Sequence, residues 1–270
     1  LVLVSGVDGA GKGDTVNVLN TWLDPRHVAT HAFAPPTEEE RRFPPLHRFW
    51  AALPPRGKIG IFFGSWYTEP ILRRVYGEAS GADLDRALDK IRRIERMLTE
   101  ERVLLVKLWF HLSKKQQDRR LRALSSDKRS RWRVTDTDWR HFALYDRFRK
   151  VSERALRRTS VGEAPWNIIE GVDARYRAVT AGTLLHDAIR ARLESEPRRA
   201  SSVPTAPFRS EEGAELLRTL DHGARLERDE YEQRLEELQG RLALATRHPR
   251  FRDVSLAIVF EGPDAAGKGG

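Results

Sequence analysis

The sequence predicts an α/β fold of three layers, with a parallel sheet of about five strands between helices. Three observations carry this reading. A short apolar run, Leu1 to Val4, enters a glycine-rich turn from Gly6 to Gly13 and then a segment of helical periodicity. Four further apolar runs of strand length alternate along the chain with longer stretches whose apolar residues recur every three or four positions. Residues 103–110 are apolar except at Lys107, which suits a strand covered on both faces.

Strand, glycine turn and helix in that order are the setting of a phosphate-binding P-loop, whose backbone amides and helix N-terminus point at an anion. The usual pattern is G-x-x-x-x-G-K-[ST]. Gly6, Gly11 and Lys12 match it, but Gly13 stands where the metal-binding hydroxyl belongs, and Asp8 lies inside the loop. Near the end of the chain, after the strand-like residues 256–260, the same loop recurs with the same departure: Gly262, Asp264, Gly267, Lys268 and Gly269 correspond to Gly6, Asp8, Gly11, Lys12 and Gly13. The fold expected of the first repeat is therefore P-loop kinase-like, three-layer α/β/α, with a basic helical lid.

Each element has its own signal. A helix begins near Asp14, with Val16, Leu19, Trp22 and Leu23 at helical spacing, and ends at Asp24-Pro25. Residues 27–33 read as the second strand. Thr37 and Glu40 have capping-box spacing and open a helix expected through Leu53, with Leu46, Phe49 and Trp50 in the core. Pro54-Pro55-Arg56-Gly57 breaks the chain before a third strand over 58–67. An acid that holds Mg²⁺ is expected near that strand's end, where ligands bind in parallel sheets; Phe62, Phe63 and Gly64 stand there instead.

Residues 83–101 form a charged helix with a stripe of Leu84, Leu88, Ile91, Ile94 and Leu98, while Asp85, Arg86, Asp89 and Lys90 read as its solvated face. After the fourth strand, a helix starts at Leu112-Ser113, and residues 114–133 are dense in cations. Arg119, Arg120, Arg129, Arg131 and Arg133 are the candidate lid residues, a lid being mobile and arginine suiting phosphate oxygens. Residues 139–158 read as one helix with Phe142, Tyr145, Phe148 and Val151 on one side. Ala164-Pro165-Trp166 turns into the fifth strand, and a helix over 174–193 closes the domain. Domain boundaries follow: a first domain at 1–194, a Ser-, Pro- and Arg-rich linker at 195–212, and the opening helix, strand and loop of a second, truncated domain at 213–270. Its helix carries a stripe of Tyr231, Leu235, Leu238 and Leu242 expected to pack on the next domain.

The chain has 270 residues, a formal net charge of +9 and no cysteine. The charge points to an anionic partner. The missing cysteines exclude disulfides, zinc-thiolate sites and thiol catalysis. No apolar run reaches membrane-spanning length, and a cytoplasmic protein with no membrane partner is expected. The chain begins without Met and stops inside a loop, which reads as a fragment of a longer protein.

With both loops in view, together with Ser65-Trp66-Tyr67, Leu112-Ser113-Lys114-Lys115 and Ala164-Pro165-Trp166, the chain resembles the second family of polyphosphate kinases over its full length. More narrowly, it resembles the tandem-domain polyphosphate:AMP phosphotransferases. The resemblance implies transfer of the terminal phosphoryl group of inorganic polyphosphate to AMP, giving ADP, with Mg²⁺ as cofactor, in a homo-oligomer with no nucleic-acid partner. It implies that Lys12 or Lys268 cradles phosphate, that Asp8 or Asp264 positions Mg²⁺ or the attacking oxygen, and that lid arginines close over the polyanion. Active members carry Asp-Arg directly before Ser-Trp-Tyr and an arginine shortly after. Here Phe63-Gly64 and Glu69 occupy those places, and Asp14 stands where the second loop has Gly270. The first domain is therefore expected to be weak or inactive, with Asp264 and Lys268 catalytic and Asp264 the metal ligand. The alternatives are a non-catalytic polyphosphate-binding or structural module, and an ordinary P-loop nucleotide kinase.

Overall fold

A computed structural model describes residues 1–128, 130–195, 227–247 and 249. The chain divides into two units, Leu1–Ala200 and Ser201–Gly270.

The first unit is built on five parallel strands in the order β2-β3-β1-β4-β5: β1 Val2–Gly6, β2 Val28–Ala32, β3 Ile59–Phe63, β4 Val106–His111 and β5 Trp166–Glu170. The helices are α1 Lys12–Trp22, α2 His47–Ala51, α3 Thr68–Tyr76, α4 Gly81–Glu100, α5 Lys114–Ser126, α6 Asp136–Ala143, α7 Tyr145–Thr159 and α8 Ala174–Glu194. Their starts are locally encoded. Ser80 with Asp83, Ser113 with Gln116 and Thr135 with Asp138 form reciprocal capping boxes at α4, α5 and α6, each satisfying two backbone donors that a helix start leaves open.

Alternation along the strands splits the core in two. Val2, Val4, Ile61, Val106, Leu108 and Phe110 face the layer of α1 and α8, where Val16, Leu19, Ala181 and Leu185 meet them. Leu3, Phe62 and Trp109 face the other layer, with Ile71 and Val75 of α3, Leu84, Leu88 and Ile91 of α4, and Val151 of α7. Each large apolar side chain so buried contributes roughly 1.5–3 kcal/mol. The expected three-layer α/β/α sheet is the observed one.

Several local expectations are corrected. The helix over 37–53 does not form. Thr37 and Glu40 do make their reciprocal bonds, at 2.9 and 3.2 Å, but only a 3-10 turn follows, at Glu40–Arg42. Pro44 and Pro45 then remove two backbone donors and push Phe43 to extended geometry, so that only the short α2 follows. Leu46 and Phe49 pack against the core, whereas Trp50 is 48% exposed. The third strand ends at Phe63, and residues 64–67 turn into α3. The helix over 139–158 is two helices that meet at Leu144, leaving Phe142 on α6 and Tyr145, Phe148 and Val151 on α7. Asp85 and Asp89 are not simply solvated: Asp85 binds Arg154 of α7 at 2.5 Å, and Asp89 binds Arg158 at 2.8 Å, lacing α4 to α7. Trp22, at helical spacing with Val16 and Leu19, is 55% exposed and lies across Gly182 of α8, where an added Cβ would come within 2.7 Å of its ring.

In the second unit the helix α9, Arg228–Arg247, is described by itself. Its Tyr231, Leu235 and Leu238 are exposed. The Leu242 side chain, the strand over 256–260 and the second loop lie outside the described residues.

Candidate phosphate-binding site

The first loop leaves β1 at Gly6, whose φ of +135° brings its α-carbon against β4. A Cβ there would sit 2.1 Å from the Phe110 carbonyl oxygen, so only glycine fits. Gly11, the N-cap of α1, is left-handed at φ +76°, and its Cβ position is filled by the guanidinium of Arg177, 2.2 Å away. Between them, Val7 N–H donates to the Phe110 carbonyl at 3.0 Å, fixing the loop to the sheet.

The cation of the loop is turned inward. Lys12 Nζ donates to the carbonyl oxygens of Gly6 at 2.8 Å and Val7 at 2.9 Å, and to Asp8 Oδ1 at 3.3 Å. The other Asp8 oxygen lies 2.7 Å from His141 Nδ1 on α6, and Gln117 of α5 donates to the Asp8 carbonyl at 3.0 Å. Burial raises the Asp8 carboxyl, but the Lys12 charge and the His141 hydrogen bond outweigh it and hold the group far below the usual carboxylate range. His141 is raised in turn, by its bond to Asp8 against the opposing effect of burial.

Beside the loop, at the carboxyl ends of β1, β3 and β4, lies a cavity of about 290 Å³. Phe33, Phe63, Tyr67, Trp109 and Phe148 wall it, and Asp8 and Lys12 edge it. Among the described residues no group of three or more His, Cys, Asp or Glu side chains can hold a metal ion. Asp8 Oδ1 faces the Lys12 ammonium and Oδ2 the His141 ring, and aromatic rings line the cavity beside them where a metal site needs further carboxylates. The donor set of the first unit does not fit Mg²⁺.

Comparison with known proteins decides the family. The description of Polyphosphate kinase 2 (PPK2) matches residues 1–197 and 225–270. The chain belongs to the polyphosphate kinase 2 family. It is 47% identical over 271 aligned residues to a polyphosphate:AMP phosphotransferase of Pseudomonas aeruginosa and 43% identical to one of Pseudomonas syringae pv. tomato; it is covered completely in both and spans 55% and 54% of them. A crystal structure described as a candidate polyphosphate kinase 2 of Pseudomonas aeruginosa superposes with a TM-score of 0.76 at 42% identity, over 93% of this chain and 47% of that one. The chain thus spans about half the length of the curated relatives it matches.

Within this polyphosphate kinase 2 fold, the first loop brings Gly6, Asp8, Gly11, Lys12 and Gly13 together, with open space at the Gly13 Cβ position. Of the candidate lid residues, Arg120 reaches the loop: its Cγ lies 3.6 Å from the Cβ position of Gly9, and its Nη2 lies 3.8 Å from Asp14 Oδ2. Arg119 and Arg131 are exposed. Arg129, the side chain of Arg133, and Gly262, Asp264, Gly267, Lys268 and Gly269 lie outside the described residues.

Ser65-Trp66-Tyr67 turns out to be an anchor. Trp66 Nε1 donates to Glu95 Oε1 at 3.1 Å, and Tyr67 Oη donates to the same oxygen at 2.7 Å. Lys107 Nζ donates to Glu95 Oε2 at 2.8 Å and to the Thr159 carbonyl at 2.7 Å. Sequence reasoning passed over Glu95, although it is the one acid on the apolar stripe of α4, as Lys107 is the one base in an apolar strand. His141, Gln117 and Arg177 carried no such signal, because only tertiary packing brings them to the loop.

Proposed function

We propose that the full-length protein transfers the terminal phosphoryl group of inorganic polyphosphate to AMP, giving ADP, and that the chemistry belongs to the second unit. The phosphorus–oxygen bond to the terminal phosphoryl group breaks as an AMP phosphate oxygen bonds to that phosphorus. Such transfers need little covalent help from the protein; positioning and charge neutralisation do most of the work. The names of the relatives support both substrates. In the second unit, Gly262, Gly267, Gly269 and Lys268 would cradle phosphate, and Asp264 would hold a divalent ion, Mg²⁺ by our reading, which when bound supplies shielding of the phosphate charges.

One observation carries the division of labour. In the first unit the loop lysine is spent on Gly6, Val7 and Asp8, and an aromatic cavity takes the place of a metal-binding acid after β3. We read that unit as a phosphate-binding or structural repeat without turnover. No helix among the described residues is long and apolar enough to cross a membrane. A cytoplasmic homo-oligomer with neither nucleic-acid nor membrane partners completes the proposal, and light scattering on the purified protein measures its assembly.

The test is formation of ADP by the full-length protein from AMP and polyphosphate with Mg²⁺, followed by phosphorus NMR. ADP appearing as polyphosphate shortens supports the reading; no ADP with either short or long chains overturns it.

A further inference from the structure

The N-terminal turn of α1 has two faces. One carries Lys12, bonded to Asp8 of the loop; the other carries Asp14, the third residue of the helix. Two guanidinium groups approach Asp14 Oδ2 from separate elements: Arg120 Nη2 of α5 at 3.8 Å and Arg177 Nη2 of α8 at 3.9 Å. Arg177 is buried, with 2% of its side chain exposed, and lies flat against Gly11 at the N-cap. Its Nη1 donates to the Gly171 carbonyl at 2.7 Å, but its Nε is buried without a hydrogen-bond partner. Leaving a buried donor unmatched is costly, so the position calls for an anion that the fold supplies only in part.

A helix N-terminus and two converging guanidinium groups, one of them buried with an unmatched donor, suit a tetrahedral oxyanion. We propose that the Asp14 carboxylate is a built-in occupant of this site: it stands in for one phosphate group of a polyphosphate chain and keeps α5 docked on the loop. The second loop has Gly270 at the corresponding position and carries no such occupant. The first unit is therefore a latent polyanion site closed by its own side chain. This inference rests on the polyphosphate reading given above.

The experiment is calorimetric titration of inorganic tripolyphosphate into the full-length protein carrying Lys268→Ala, which silences the second loop. Asp14→Asn and Asp14→Gly are added separately, with thermal melting to verify folding. Both should bind tripolyphosphate at least tenfold more tightly than Lys268→Ala alone, and Arg120→Gln should cancel most of that gain. Unchanged affinity in both Asp14 variants overturns the inference, and so does a gain that survives Arg120→Gln. Failure of the broader reading has a different signature: the unsubstituted protein then neither binds tripolyphosphate nor consumes polyphosphate.

Discussion

His141 Nδ1 of α6 lies 2.7 Å from Asp8 Oδ2 in the phosphate loop, 133 residues away in sequence. This contact fastens α6 to the loop. Both groups are shifted toward their charged forms, Asp8 downward and His141 above the ordinary imidazole value of 6.5. A raised imidazole contributes stability that is fully present below its unfolded pKa and is lost as pH rises through its folded pKa. The depressed carboxyl contributes stability present above its unfolded value of 3.8 and lost as pH falls toward its folded one. The melting temperature of the protein should therefore exceed that of His141→Gln most clearly near about pH 5.5, and the difference should shrink above neutrality. Melting curves from pH 5 to 9 measure this; a difference that does not change with pH contradicts it.

Glu95 and Lys107 are a buried ion pair with every strong partner in place. Removing one member strands the other charge in an apolar layer, which costs roughly 3–5 kcal/mol. Glu95→Ala should be destabilised on that scale in urea unfolding. Glu95→Leu combined with Lys107→Leu should recover much of the loss, because no charge then stays buried. Because Trp66 and Tyr67 also donate to Glu95, the single variant should redshift tryptophan fluorescence as well.

Gly6→Ala tests the closeness of loop and sheet. With φ at +135° and a backbone oxygen 2.1 Å from the new methyl group, β4 must move away from β1. We expect a loss of at least about 2 kcal/mol, the scale of an enforced backbone strain. Gly13→Ala, which meets nothing within 4 Å inside α1, should leave stability unchanged or raise it by up to about 1 kcal/mol.

How far the sequence alone reached is clearest residue by residue. Strand alternation and the glycine loop gave the sheet and the place of Gly6, Gly11 and Lys12, since both depend on local periodicity and backbone freedom. The Thr37–Glu40 bonds were also legible, but not that Pro44 and Pro45 would stop the helix they start. Leu144 divides α6 from α7 without any proline or glycine to announce it. His141, Gln117 and Arg177 reach the loop only through chain crossings that no local pattern encodes. The inward turn of Lys12 uses oxygens four to six residues away in its own loop, but no residue pattern distinguishes it from a lysine turned toward a ligand.

The central claim is that the second loop works and the first does not. Its most direct test is the initial rate of ADP formation from AMP and polyphosphate by the full-length protein, compared between Lys12→Ala and Lys268→Ala. Lys268→Ala should lose at least about 100-fold, the scale of a lost electrostatic contact to the transferring group, and Lys12→Ala should stay within about threefold of the unsubstituted protein, a change under 1 kcal/mol in the barrier. A rate that collapses in Lys12→Ala and survives in Lys268→Ala would contradict it.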